Sequence, residues 1–236
     1  MPDNAVIRRV SALDLKVESG AWLWAASRRA DIDAHFAMRQ REKPGIWNGQ
    51  VLLARNAEFS GGKLSSSYFH TDFASFLAWR DWGCPDRDVF NGFGMGALRS
   101  ADGAFVLGEM GGATVNAGRI YFPAGTPDPD DVVGDTLDIA GSIAREIEEE
   151  TGLTAADYQA ADGWHCVSVA ASVAIIRILT VDMPGEALKA RIEANLSLQP
   201  NPELSAIHLV RDRGDLSASM PRFVTAFLED QFDVQL

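Results

Sequence analysis

Four of the nine residues in "REIEEETGL", Arg145 to Leu153, are glutamates. On a helix turning about 100° per residue, Glu146, Glu149 and Glu150 fall within an arc of roughly 100°, while Glu148 points away at roughly 200°. Ile143 and Ile147 lie beside the acidic arc and can anchor the helix to a core. Three converging carboxylates cannot readily all stay ionised unless a cation sits among them. Hard oxygen ligands of this kind suit Mg²⁺ or Mn²⁺. On helix geometry alone, a solvated acidic face is the commoner explanation.

The flanks add to that reading. Arg145 directly precedes the cluster, Gly152 and Leu153 close it, and "YFPAGTPDP" puts an extended segment and a glycine turn upstream. Together these residues resemble the signature of the Nudix hydrolases, G-x5-E-x7-R-E-U-x-E-E-x-G-U with U aliphatic. All seven specified positions from Arg145 onward are present in order, and "FPAG" at 122–125 is similar to the F-P-G-G that usually opens the motif. The first half departs from the pattern. Gly125 lies 20 residues before Arg145, where the pattern has 14, so six extra residues fall in "TPDPDDVVGDTLDIAGSIA". Counting back from Arg145 puts the leading glutamate on Leu137, with Asp138 next to it as a stand-in. The resemblance covers Val89 to the C-terminus.

The resemblance implies metal-dependent hydrolysis of a pyrophosphate bond in a nucleoside diphosphate linked to a group X. Carried over by position, Glu146, Glu149 and Glu150 are the metal carboxylates and the carbonyl of Ala124 completes the coordination. Arg145 orients a glutamate through a salt bridge, and Glu146 or a carboxylate from a later loop takes the proton of the attacking water. Glu203, in "NPELSAIHLV", is the candidate for that later carboxylate, although an ordinary loop glutamate explains it equally well. Glu186 and Glu193 lie on an expected surface helix and are weaker choices. His208, flanked by Ile207 and Leu209, reads as a packed or exposed strand histidine.

The elements that must carry these residues are legible in outline. Residues 20–42 have helical propensity, ended by "KPG" at 43–45. "WNGQVLLARNAEF" and "GKLSSSYFH" flank a Ser-Gly-Gly turn and suggest a strand pair. "TDFASFLAWRDWG" reads as a helix with Thr71 or Asp72 as N-cap and Gly83 just past its end. From Asn91 onward, "FGMGALRS" and "AFVLGEM" form strands around "ADG", and "RIYFP" continues as a strand. After the glutamate helix come strands in "HCVSVA" and "VAIIRILTV", a helix at 185–197, a strand in "SAIHLV", and a terminal helix in "PRFVTAFLEDQF" with Pro221 in its first turn. Strands and helices alternate without βαβ regularity. The expected fold is α/β (α+β), a Nudix-type α/β/α sandwich around a mixed sheet spanning 89–236, preceded by an α+β extension over 1–88.

The bulk of the chain limits its partners. With 236 residues and 47% hydrophobic composition, it is long enough for a packed domain and an extension. Its formal charge of −12 argues against a nucleic-acid partner, which requires clustered Lys and Arg. No apolar run is long enough for a membrane span, and "MPDNAVIRRVSALDL" is not a signal peptide. Cys84 and Cys166 therefore read as reduced thiols of a cytoplasmic protein. Nothing in the sequence sets the oligomeric state.

For the identity of X, "WNGQVLLAR", "YFHTDFASFLAWRDWG", "NGFGMGALRSADGAFVLGEM" and "FPAGTPDP" are similar to the branch acting on UDP-glucose and UDP-galactose. That branch also carries an N-terminal extension and a G-x-P-[DE]-P segment. The resemblance implies UMP and a sugar 1-phosphate as products. Of the extension's aromatics, Trp47, Tyr68, Phe69 and Trp79 are candidates for touching uridine or sugar, though such residues are more often core. ADP-ribose, nucleoside triphosphates and coenzyme A derivatives remain alternatives. Coenzyme A ranks lower, because only Arg119 stands where that branch is Arg-rich. A nucleotide-sensing or interaction module without hydrolysis is the alternative of a different class; retention of all three glutamates favours an enzyme.

Overall fold

The computed structural model describes residues 4–233. The elements run β1 (Val6–Val10), β2 (Ala12–Val17), α1 (Leu23–Ala26), α2 (Arg29–Glu42), β3 (Gln50–Ser60), β4 (Lys63–Asp72), α3 (Phe73–Asp81), β5 (Val89–Arg99) and β6 (Phe105–Met110). They continue as β7 (Ile120–Tyr121), β8 (Val132–Val133), β9 (Thr136–Leu137), α4 (Ile139–Thr151), β10 (Gln159–Ala160), β11 (Trp164–Val169), β12 (Ser172–Thr180), α5 (Gly185–Leu196), β13 (Leu204–Val210) and α6 (Arg222–Asp233).

The fold is a mixed α+β structure around one large mixed sheet, in the order β1-β11-β12-β5-β3-β4-β2-β9-β8, with β6, β7, β10 and β13 joined at its side. β12 runs parallel to β5, and β2 parallel to β4; the other pairs are antiparallel. Alternation along the central strands builds a layer on each face. On β12, Val173, Ile175 and Leu179 enter the core that holds Ile143 and Ile147 of α4 and Leu188 and Ile192 of α5. Their neighbours Ala174 and Ile176 join Phe93, Met95 and Ala97 of β5 under Val224 and Phe227 of α6. The α/β/α layering expected from the sequence is thus observed.

Glycines bring α4 close to the sheet. A Cβ on Gly94 would stand 2.8 Å from Ile143 Cγ1, and one on Gly96 2.8 Å from Ile147 Cδ1. No side chain fits there, so the "GFGMG" of β5 sets how deeply the helix sits.

Residues 4–88 join the sheet through β1 on β11 and β3 on β5. Their helices α2 and α3 enclose a third core with Ile32, Phe36, Leu77 and Trp79. The helix expected over 20–42 is broken at Ser27–Arg28 into α1 and α2. "RIYFP" holds only the two-residue β7; past it the Pro123 carbonyl accepts from Gly96 N–H, which draws the chain from β6 to β5. β1 and β2 were not expected from "AVIRRVSALDL". Among the described residues no helix is long and apolar enough to cross a membrane, and Cys84 and Cys166 are both free thiols.

Candidate active site

α4 presents the glutamates much as its periodicity dictates. Ile139, Ile143 and Ile147 are buried against the sheet, and Gly152 closes the helix in the left-handed region at φ 73°. Glu148 and Glu149 are exposed, Glu146 is half-buried, and Glu150 is buried at 4% exposure. Asp138 is the N-cap of α4 and accepts from Gly141 N–H at 3.0 Å. One oxygen of the expected stand-in for the leading glutamate is thus engaged in the cap, and Arg145 pairs with other carboxylates.

Arg145 finds its carboxylates in the stretch 126–144 that holds the six extra residues. Its Nη2 lies 3.0 Å from Asp131 Oδ1, 3.4 Å from Asp128 Oδ2, and 4.0 Å from Glu146 Oε1. Asp128 and Asp131 cap the short 3-10 turn Pro129–Asp131 reciprocally, and the Asp131 carbonyl accepts from Asp138 N–H. The insertion is therefore a built connection from the glycine turn to the start of α4. Burial raises the Asp131 pKa despite the Asp128 N–H and Arg145, which pull it down. Burial also opposes the charge of Arg145, yet Asp131, Asp128 and Glu146 outweigh it and hold the guanidinium above its usual value.

The electrostatics of the glutamates are those of an unneutralised acidic cluster. Burial first, and then Glu149, push the Glu146 carboxyl up to about 7, with Glu203 and Asp131 adding to the rise against Arg145. Burial, Glu146 and Glu203 hold Glu150 well above the usual carboxylate range. The backbone N–H of Ala124 lies near enough to favour the Glu150 anion but outside hydrogen-bonding geometry, so both oxygens are buried without a partner. Tyr121 stands in the same field: burial, with Glu150, Glu203 and Glu146, raises it to about 12 despite a hydrogen bond from Asn116. The charge of Glu203, from the loop before β13 on the wall of the larger cavity described below, adds to this field. The Glu203 carbonyl accepts from Gly111 N–H at 2.7 Å, which fixes that loop.

Among the described residues no group of three or more His, Cys, Asp or Glu side chains forms a ready-made metal cage. Like charges have no reason to close up without a cation between them. Two observations nevertheless fit a divalent ion. Glu150 has two orphaned buried oxygens and no basic partner among the described residues. Glu146 fills the space beside Gly125, where a Cβ would stand 2.0 Å from its Oε1, so glycine there lets the carboxylate reach the turn that carries the Ala124 carbonyl. The donors are all hard oxygens, and exposed Glu149 is free to swing in.

Two cavities meet at this turn, one of about 560 Å³ and one of about 840 Å³. Phe73, Val115, Asn116, Tyr121, Ala124 and Thr126 wall both. Gly125 opens onto the first, and Asp128 and Glu203 onto the second. The cleft is two-lobed; Glu203 lines the larger lobe, Glu146 stands beside Gly125 at the wall of the smaller, and Glu149 and Glu150 line neither.

The remaining candidates lie elsewhere. Glu186 pairs with Arg211 and Glu193 with Lys189 on the outside of α5. His208 is half-buried and bonded to Glu109 at 2.9 Å. Tyr68, Phe69 and Trp79 are core residues, whereas Trp47 is 79% exposed at the mouth of the larger cavity. The sequence reading missed Asp128 and Asp131, whose signal was the acidic density of "TPDPDD" and the capping pattern around Pro129. It also missed the cavity role of Tyr121.

No family model matches the chain, and no curated protein matches it. Solved structures do. RenU, a Nudix hydrolase from M. smegmatis, is 15% identical, with 61% of this chain and 83% of that chain covered and a TM-score of 0.40. The MutT protein from Methanosarcina mazei Go1 is 20% identical, with 62% and 94% covered and a TM-score of 0.37. The C-terminal domain of mouse MUTYH, solved in complex with human PCNA, is 13% identical, with 59% and 88% covered and a TM-score of 0.36. Likeness at this level bears on neither fold nor activity.

Proposed function

We propose that this protein is a divalent-metal-dependent hydrolase that cuts the pyrophosphate bond of a nucleoside diphosphate linked to X. The preferred substrate is a UDP-sugar, which gives UMP and a sugar 1-phosphate. The observation that carries the reading is Glu150, whose buried oxygens have no partner, on the helix whose Glu146 stands against the Gly125 turn of a two-lobed cleft lined by Glu203. Two lobes suit a substrate with two bulky ends and a diphosphate between them. The similarity of the segments 47–55, 68–83, 91–110 and 122–129 to the UDP-sugar branch supports the choice of base and sugar.

Glu146, Glu149, Glu150 and Glu203, with the Ala124 carbonyl, would hold the ion. When bound, Mg²⁺ or Mn²⁺ offsets the negative charge of both protein and diphosphate and makes water a better nucleophile. The Arg145 guanidinium, gripped by Asp131, keeps Glu146 turned to the glycine turn. A carboxylate oxygen of Glu146 or Glu203 takes the proton as water oxygen bonds to phosphorus and the bridging P–O bond breaks. Arg119 makes no ion pair among the described residues and lies on the cleft wall, where a phosphate can meet it.

The test is incubation with Mg²⁺ and a panel of UDP-glucose, ADP-ribose, coenzyme A and nucleoside triphosphates. UMP from UDP-glucose is the expected product, and a profile without it sinks the substrate choice. The alternative of a different class is a nucleotide-binding module without hydrolysis. That reading gains if a nucleotide raises the melting temperature without metal and no substrate is cut.

A further inference from the structure

The two lobes differ in chemistry. The smaller is lined by Phe73, Phe223 and the edge of the cores at Phe76, Trp79 and Phe93, while the larger is open and carries Asp128, Glu203 and exposed Trp47. A flat heteroaromatic ring gains by leaving water for the first lobe. A polyhydroxylated group gains in the second, where carboxylates accept from its hydroxyls.

Asn91 adds a specific polar group to the aromatic lobe. It lies on the cavity wall, and its Oδ1 is buried without a hydrogen-bond partner. An orphaned buried acceptor costs about 1–3 kcal/mol, so a ligand that brings an N–H to this amide recovers energy. Rotation about the last side-chain torsion turns either the oxygen or the NH2 group toward the ligand. The backbone here is firmly set, with Asn91 N–H bonded to the Ala171 carbonyl at 2.9 Å.

That carbonyl is delivered by a strained turn. Ala170 has φ 48°, and Cys84, across the same lobe, has φ 55°. Asn56 is the other non-glycine residue with positive φ among those described, so two of the three line one cavity. Left-handed backbone in a non-glycine residue costs about 1–2 kcal/mol and is retained where surrounding structure demands a particular shape. Arg119 stands on the wall of this lobe without an ion pair among the described residues, and the lobe reaches the acidic cluster at Gly125.

We propose that the aromatic lobe binds the nucleobase of the substrate, with the Asn91 amide pairing with an N–H-bearing edge of the base and Arg119 holding the adjoining phosphate; X then lies in the larger lobe, past the Gly125 turn. The assignment rests on the hydrolase reading for its phosphate end, and its base end is tested without turnover.

UMP, AMP, GMP, CMP and ribose 5-phosphate are titrated calorimetrically into the full chain without metal, and into Asn91→Leu and Phe223→Leu. At least one nucleotide should bind tenfold or more tighter than ribose 5-phosphate. Asn91→Leu should erase that preference while the melt stays cooperative at or above the wild-type temperature. Phe223→Leu, which loses ring contact on α6, should weaken it severalfold and carries the test if Asn91→Leu does not fold. A preference that survives both substitutions overturns the assignment, as does a wild type with no preference for any nucleotide. Turnover of UDP-glucose with Mg²⁺, measured in parallel, then shows whether the hydrolase reading survives alone or falls too.

Discussion

Replacing Gly125 with alanine separates catalysis from stability with a single methyl group. The new Cβ would stand 2.0 Å from Glu146 Oε1 and 2.5 Å from its Cδ. Ordinary van der Waals contact begins near 3.4 Å, so the carboxylate must withdraw by about 1.4 Å. The clashing atoms are the far end of a half-buried, flexible side chain, so the backbone need not move. Stability should fall by no more than about 1 kcal/mol, as for a mild overpacking that the site can relieve. A misplacement of about 1 Å at a reacting centre can remove roughly 100-fold in rate. The assay is kcat on whichever nucleoside diphosphate the wild type cuts, with a thermal melt of the same preparation. A kcat within threefold of wild type, with the fold intact, would refute the placing of Glu146 in the machinery.

Gly96→Ala tests the same helix from beneath. Its Cβ would meet Ile147 Cδ1 at 2.8 Å and Cγ1 at 2.9 Å, inside a packed core, and should cost about 1–3 kcal/mol in denaturant melts. Asp131→Asn weakens the hold on Arg145. With Asp131 buried and Arg145 partly exposed, a loss of about 1–3 kcal/mol is expected, with kcat falling more than KM rises. The metal-free protein should lose stability as pH rises. Folded Glu146 binds its proton more tightly than the unfolded chain, so its contribution is complete below about 4.5 and is lost as pH rises through about 7. The ceiling is about 3 kcal/mol, at about 1.4 per pKa unit. Glu150 acts in the same direction. Mn²⁺ should offset the loss above pH 7, and melting temperatures from pH 5 to 8 with and without the ion decide it.

The sequence made the layers and the acidic helix legible because both depend on local periodicity. Ile143 and Ile147 mark the buried stripe of α4, and Glu146, Glu149 and Glu150 follow from the same turn angle. β5 and β12 were legible from their apolar runs, and α3 from Asp72, which does cap it with a bond from Ser75 N–H. What local pattern could not carry was pairing at a distance. β1 and β2 are short, half-exposed strands whose partners, β11 and β4, lie far along the chain. The Arg145–Asp131 pair needs the intervening stretch folded before the two side chains meet, so counting back along the motif reached Leu137 and, beside it, Asp138, a residue that serves as a cap. The break between α1 and α2 was hidden because Ser27 and Arg28 do not themselves stop a helix.

Titration with Mn²⁺, read by the loss of its free-ion electron paramagnetic resonance signal, tests the central claim most directly. The wild type should take up the ion near neutral pH, and Glu149→Gln and Glu150→Gln should each weaken uptake at least tenfold and cut turnover by orders of magnitude while the melt stays cooperative. A protein that leaves Mn²⁺ free, or binds it equally well after both substitutions, would contradict the account.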